Sequence, residues 1–253
     1  MANRALAAVE SALRDRKLDR TLTTALAPLE RMDPSALVPM DVAALDACLR
    51  GGLPRGQLSE LAGPRSSGRM TLLLQMMAAA TARGEIVALV DTLDRLDVAS
   101  ATAAGVDLSR LLWIRGQEIT ADRALDRAVK ALNLVLQAGG FGVVAIDLAD
   151  VPLIALRQIP FTTWMRVQRV IEGSDTACVL LASAPLARSA GGLTVTLSGR
   201  PTWTGASERS RRLSGVDLRA RVVSPRKRID GDASVGAHTA DVTDRDAPIA
   251  RQQ

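Results

Sequence analysis

A strand, a glycine-bounded loop and a helix follow one another over residues 57–82, and this run constrains the fold more than any other. Residues 57–62 read as a short β-strand. Gly63-Pro64-Arg65-Ser66-Ser67-Gly68 then turns the chain. Residues 70–82, Met-Thr-Leu-Leu-Leu-Gln-Met-Met-Ala-Ala-Ala-Thr-Ala, are apolar nearly all round, the pattern of a helix buried against a sheet. Gly84 stops that helix. A strand that feeds a buried helix belongs to a sheet covered by helices.

The chain downstream repeats the alternation. Residues 86–90 predict a strand ending at Asp91, 95–104 a helix ending at Gly105, and 111–114 a short strand. Over 121–137, Leu125, Val129, Leu132 and Leu136 share one helical face, with Arg123, Arg127 and Lys130 away from it. Residues 143–146 predict a strand closed by Asp147, 161–172 a helix, and 178–182 a strand. Later strands are expected at 193–197 and 216–223, the second from the alternation of Val216, Leu218, Ala220 and Val222. The reading is an α/β fold with a mostly parallel sheet and helices on both faces, strand C-termini meeting at one ligand-binding edge. Residues 41–224 form this core. Residues 1–40 are expected to be an N-terminal helix and a linker, with Leu6, Val9 and Leu13 as the apolar stripe over 4–14 and Pro28, Pro34 and Pro39 in the linker. Residues 225–253 lack periodicity and are expected to be a disordered basic and polar tail.

Charge and composition narrow the chemistry. The net charge is +5, and residues 206–230 alone hold eight basic side chains against three acids. That surplus suits an anionic or acidic partner, or a solvated segment kept soluble by charge. The segment carries Arg209, Arg211, Arg212, Arg219, Arg221, Arg226, Lys227 and Arg228 without interleaved aromatics, so any DNA contact there would be phosphate-based and salt-sensitive. Trp203, just before it, reads as a core or surface plug. Cys48 and Cys178 stand far apart, and the single His238 lies in the expected tail, so no metal cluster and no histidine-based catalytic pair is expected. The lone thiols fit a reducing cytoplasm, and no apolar run is long enough to span a membrane.

The central loop reads Gly63-Pro64-Arg65-Ser66-Ser67-Gly68-Arg69-Met70-Thr71 against the phosphate-loop pattern G-x-x-x-x-G-K-[ST]. Both glycines and the strand–loop–helix context are present. Arg69 replaces the lysine; it keeps the charge but is longer and planar. Met70 replaces the hydroxyl residue that holds Mg²⁺, and a thioether is a poor ligand for that ion. Thr71 comes one residue late, about 100° away around the helix. Without well-held Mg²⁺, phosphoryl transfer loses its main charge stabiliser. Efficient hydrolysis is not expected, and no cofactor is assigned; ATP binding stays open.

The run from Leu45 to Gly68, Leu-Asp-Ala-Cys-Leu-Arg-Gly-Gly-Leu-Pro-Arg-Gly-Gln-Leu-Ser-Glu-Leu-Ala-Gly-Pro-Arg-Ser-Ser-Gly, resembles the RecA recombinase core around its phosphate loop. Gly105-Val-Asp-Leu-Ser-Arg-Leu-Leu fits the same family. The likeness covers residues 4–224 and is strongest over 41–115. Within the RecA-like superfamily the small size and altered loop look most like ImuA, the RecA-like accessory proteins of bacterial mutagenic translesion synthesis. The resemblance places the RecA catalytic glutamate at Leu93, within Asp91-Thr92-Leu93-Asp94. Leu93 cannot act as a general base, and Asp94 beside it is the one available substitute. The Walker B position is kept as Val143-Val144-Ala145-Ile146-Asp147. The RecA nucleotide-sensing glutamine falls at Ser183. Only Ala184 to Gly192 stands where RecA has a long DNA-binding loop, which argues against RecA-style single-strand binding, although Arg188 remains.

The helix at 4–14 resembles the one with which RecA packs on its filament neighbour, so Leu6, Val9 and Leu13 are candidate partner contacts. The ImuA likeness implies RecA, the polymerase-like protein ImuB and an error-prone replicative-type polymerase as partners, with no membrane. It therefore implies an adaptor without catalysis. Two alternatives stand beside it: a weak RecA-type ATPase using Arg69 and Asp94, and a cell-division inhibitor of SulA type.

Overall fold

A computed structural model describes residues 34–116, 121–187, 192–205, 207–223 and 231–238. The candidate partner helix with Leu6, Val9 and Leu13, the connection residue Arg188, and the basic triplet Arg226, Lys227 and Arg228 lie outside these residues. The described residues all belong to one compact unit.

A short ladder of β1 (Leu37–Val38) and β2 (Leu53–Pro54) precedes the main sheet, with α1 (Ala43–Cys48) between them. The central strands are β3 (Leu58–Ala62), β4 (Val87–Asp91), β5 (Leu111–Arg115), β6 (Val143–Asp147) and β7 (Ala177–Ala182). They are joined by α2 (Arg69–Ala82), α3 (Val98–Ala103), α4 (Ala121–Ala138), and α5 (Leu153–Arg157) with α6 (Phe161–Ile171). After β7 come β8 (Thr194–Thr204), β9 (Arg212–Val223) and β10 (Gly231–His238). The eight-stranded sheet runs in the order β10-β9-β8-β3-β7-β6-β4-β5. Every pair from β5 to β8 is parallel, while β8–β9 and β9–β10 are antiparallel. This is the mostly parallel, helix-covered α/β core expected from the sequence.

Strands β3, β4, β6 and β7 are buried at every residue, as central parallel strands must be. One face packs under α2, whose Leu72, Leu73, Met76, Met77 and Ala80 join Leu61, Leu89 and Val179. The other packs under α4 and α6, where Leu125, Leu132, Trp164 and Val167 meet Val144, Ile146 and Leu180. The all-round apolar α2 is explained by this position: the sheet covers one side, and α1 with the β8–β9 ribbon contributes Leu45, Leu197 and Leu218 to the same cluster.

Three expectations are corrected. The stretch 15–40 is not linker throughout. Leu37, Val38 and Met40 are buried, and β1 pairs with β2, so the apolar residues between Pro34 and Pro39 are spent on the core. Order also does not end at Ser224: residues 231–238 pair with β9, from Gly231 opposite Val222 to His238 opposite Gly215. That strand has no alternating apolar pattern, and pairing an otherwise open edge requires only backbone hydrogen bonds. The strands expected at 193–197 and 216–223 are longer, so Arg209, Arg211 and Arg212 of the basic segment sit at the turn of a long β8–β9 ribbon, with Arg212 opposite Thr204. The sequence signal for β8 stops at residue 197 because the ribbon beyond it leaves the core and needs no apolar alternation.

At the opposite end of the sheet from the phosphate loop, Arg55 ties four segments together. Its guanidinium donates to the carbonyls of Ser35 (3.1 Å), Gly142 (3.3 Å) and Asp175 (2.7 Å), and to Glu85 Oε1 (2.8 Å). Burial pushes the Glu85 carboxyl up, but hydrogen bonds from Arg83 and Arg55 outweigh it and hold the group below its ordinary value. Arg55→Ala removes four hydrogen bonds at once, leaving Glu85 with Arg83 and the Gly142 carbonyl with the Ala177 amide. It is expected to cost about 2 kcal/mol, measured by urea unfolding; Arg55→Lys should recover only a part, because an ammonium cannot reach four acceptors in a plane.

Candidate functional site

The phosphate-loop position is set by β3 and α2. Gly68 precedes α2 in the left-handed region, φ 81°, and a Cβ there would stand 2.4 Å from Leu218 of β9. At Gly63 a Cβ would stand 2.6 Å from the carbonyl oxygen of Leu197. Gly63 is thus required by the backbone of the ribbon that packs on the loop, and Gly68 by its own left-handed conformation, independently of any ligand. Ser66 also has a positive φ, 59°. The Ser67 amide donates to Pro64 O (3.2 Å), while its buried Oγ has no partner among the described residues.

The side chain of Arg69 turns back into the loop. Its guanidinium donates to the carbonyls of Gly63 and Pro64, the second at 2.5 Å, and lies 3.8 Å from Asp150. Arg69 is buried, and Asp150 is shared with the more exposed Arg65 at 3.2 Å. The expected crowding therefore takes a definite form: the planar cation is satisfied by the loop's own carbonyls and one acid. Met70 is half-buried against the α2 side of the core, and Thr71 is exposed. Within reach of the helix start there is a thioether where Mg²⁺ requires an alcohol, so these residues do not fit a magnesium–nucleotide complex.

The neighbouring strand ends bring two acids into register, Asp91 of β4 opposite Asp147 of β6. Asp91 is committed to structure. Its carboxylate accepts from the amides of Arg95 and Leu96, both at 2.8 Å, and from Trp113 Nε1 at 3.1 Å. Asp147 accepts from the Ala149 amide at 2.9 Å. Burial pushes the Asp147 carboxyl up to about 6; the Ala149 amide and Arg69 oppose this, and Asp91 and Asp150 add to it. Among the described residues no three His, Cys, Asp or Glu side chains are grouped to hold a metal.

The candidate bases are poorly placed. Leu93 packs against the α4 side of the core. Asp94, with φ 56°, forms a paired hydrogen bond with Arg115 at 2.7 and 2.8 Å, and that contact holds its carboxyl below the ordinary value. Arg115 in turn stacks 4.5 Å above the Trp113 ring. A carboxylate so engaged is a weak proton acceptor. Ser183 directly follows β7, whose last carbonyl, on Ala182, accepts from the Gly63 amide at 3.0 Å.

Two residues that the sequence reading passed over organise this edge. One is Asp150, the counter-ion of Arg69. The other is Glu60, wholly buried in the middle of β3, which accepts from the amides of Leu186 (2.7 Å) and Ala187 and from Thr194 Oγ1 (2.9 Å). With Ser59 Oγ accepting from Leu193 N (3.1 Å), it clamps both ends of the connection between β7 and β8. The available signal was a lone carboxylate inside the apolar run Leu58-Ser-Glu-Leu-Ala.

Strand order, a phosphate-loop turn between a central strand and a buried helix, and an acid at the end of β6 define the class: an α/β core of the phosphate-loop type. The matching family model, described as the RecA N-terminal domain, covers residues 22–155, and the chain belongs to that family. It is 35% identical over 144 residues to Protein RecA of Clavibacter michiganensis, and 37% over 119 residues to Protein RecA of Mycobacterium marinum. To Protein RecA of Methylococcus capsulatus it is 40% identical over 112 residues. These matches span 51%, 47% and 44% of this chain but only 38%, 33% and 30% of those relatives. Among the described residues no helix is long and apolar enough to cross a membrane.

Proposed function

We propose that this RecA-family chain is a non-hydrolysing adaptor of the ImuA kind, acting in DNA-damage-induced mutagenesis by joining RecA to a translesion polymerase complex of ImuB type. The observation that carries the reading is the internal capture of Arg69. A RecA-type loop needs a mobile cation and a Mg²⁺ hydroxyl, and this one has a cation bonded to Gly63 O, Pro64 O and Asp150, followed by Met70. The engaged Asp94 and the aliphatic Leu93 support the same conclusion. A core kept without these groups is suited to recognition. The segment carrying Leu6, Val9 and Leu13 is the proposed docking element, and RecA, the ImuB-type protein and an error-prone replicative-type polymerase are the proposed partners.

The adaptor role is tested by co-purification of the full chain with RecA and with the ImuB-type protein, together with damage-induced mutation frequency in a deletion strain. Binding to both and loss of induced mutation support it. Recovery of the tubulin-like division protein without RecA would reassign the chain to the SulA-type reading. The loop chemistry has its own test. Arg69→Lys with Met70→Thr restores the phosphate-loop pattern, and a fluorescent ATP analogue is expected to bind this double variant at least tenfold more tightly than wild type in Mg²⁺, with a smaller gain in its absence from the freed cation alone. Equal binding with Mg²⁺ present would show that the loop substitutions do not limit nucleotide affinity.

A further inference from the structure

We propose that the outward corner formed by α5 and α6 docks an acidic, amphipathic helix of a partner protein, with the partner's apolar side chains on Phe161 and Met165 and its carboxylates on Arg157, Arg166 and Arg169. Residues 153–171 contain no Asp, Glu or Lys. The three arginines are exposed, and among the described residues none of their guanidiniums takes part in an ion pair or hydrogen bond. Arg55, Arg65, Arg69 and Arg115, by contrast, are each paired with an acid. The acids on either side of the stretch are Asp150, shared by Arg65 and Arg69, and Glu172 at the end of α6. The same stretch exposes apolar side chains: Ile154 is 77% exposed, Phe161 45% and Met165 37%. Phe161 is one of two exposed aromatic residues, the other being Trp203 on the ribbon.

Helical spacing gathers these groups. α6 turns Trp164, Val167 and Ile171 to the core, where they are buried. Phe161, Met165 and Arg169 follow at four-residue steps along its outer side, and Arg166 stands three before Arg169. Ile154 and Arg157 are likewise three apart on α5. Only Gln158, Ile159 and Pro160 separate the two helices, and Pro152 and Pro160 stand immediately before their first residues. Each proline fixes its own φ, so the corner is held before a partner arrives. The composition is that of the buried centre of a protein interface, where aromatic residues, Met and Arg are enriched and Lys, Glu and Asp depleted. Two apolar anchors one turn apart match the i, i+4 side chains of an amphipathic helix, and unopposed arginines select carboxylates around them. A second copy of this chain would set arginine against arginine across a two-fold contact. A nucleic-acid strand would answer the arginines but not the aliphatic Ile154 and Met165, which offer no flat ring to a base. The proposal does not depend on the adaptor reading, which names partners but no surface among the described residues.

The test is fluorescence anisotropy of a labelled 18-residue helical peptide, with two leucines four positions apart, glutamates around them and alanines elsewhere, titrated with the full chain. Phe161→Ala with Met165→Ala is expected to weaken binding at least tenfold. Replacing the peptide's leucines by alanine should cost wild type as much and cost this variant nothing further. Arg166→Glu with Arg169→Glu should bind at least tenfold more weakly than Arg95→Glu with Arg123→Glu, an equal charge change on exposed positions elsewhere in the core. Equal losses in the two charge-reversal variants would reduce the effect to net charge and overturn the site. So would unchanged binding by Phe161→Ala with Met165→Ala, or no saturable binding of the peptide by wild type. Binding of a 20-nucleotide oligo(dT) or of phosphatidylglycerol vesicles that Arg166→Glu with Arg169→Glu abolishes, with no binding of the peptide, would overturn it in favour of nucleic acid or a membrane surface. Thermal melts at the wild-type temperature are expected for all variants, since Trp164, Val167 and Ile171 are untouched.

Discussion

Glu60→Ala is expected to destabilise the chain by about 3–5 kcal/mol, the largest effect of any single substitution proposed for this fold. Glu60 has no exposed surface, and its carboxylate accepts from two amides and a hydroxyl that have no water to turn to. Alanine leaves all three donors unsatisfied and opens a space in a strand flanked by β7 and β8. Glu60→Gln is the informative companion. Its amide oxygen can still accept from Leu186 and Ala187, and its nitrogen can donate to Thr194 Oγ1, so about half of the loss should be recovered. Urea unfolding of the two variants checks this, and hydrogen exchange at Ala187 and Leu193 should rise in Glu60→Ala before global unfolding. Equal stability of wild type and Glu60→Ala would mean that the β7–β8 connection is not held from β3.

Asp147→Asn is expected to stabilise the protein at neutral pH by about 2–3 kcal/mol. The folded carboxyl titrates at about 6 and the model-compound value is 3.8, so between these values the native state binds more protons than the unfolded chain. Stability must then fall as pH rises from 4 to 6 and level off above. Asparagine carries no charge to desolvate, keeps an acceptor for the Ala149 amide, and removes the repulsion from Asp91 and Asp150. The melting temperatures of wild type and variant should coincide near pH 4 and diverge by several degrees, about 2–4 °C per kcal/mol, above pH 7. A difference that does not vary with pH would refute burial as the cause.

The β3–loop–α2 unit, the alternation of β4, β6 and β7 with their helices, and the family itself were legible in the sequence. Central parallel strands and the helix pressed on them are apolar by necessity, and Asp91 and Asp147 mark the strand ends. The ribbon was not legible, because past Leu197 its residues leave the core and obey no apolar period; Trp203 looked like a plug for the same reason. β10 and the short α5 carry no distinctive composition. At the loop, residue identities announced the loss of a lysine and a hydroxyl, but not that Arg69 would be absorbed by Gly63, Pro64 and Asp150. That outcome depends on the reach of a guanidinium within a folded turn, and on an acid two strands away in the sheet.

Phosphate release from MgATP by the purified full chain, with and without single-stranded DNA, bears most directly on the claim that this RecA-type core has lost turnover. Wild type is expected to show no release above that of Asp147→Ala prepared in the same way. Sustained, Mg²⁺-dependent release by wild type that Asp147→Ala abolishes would contradict the account.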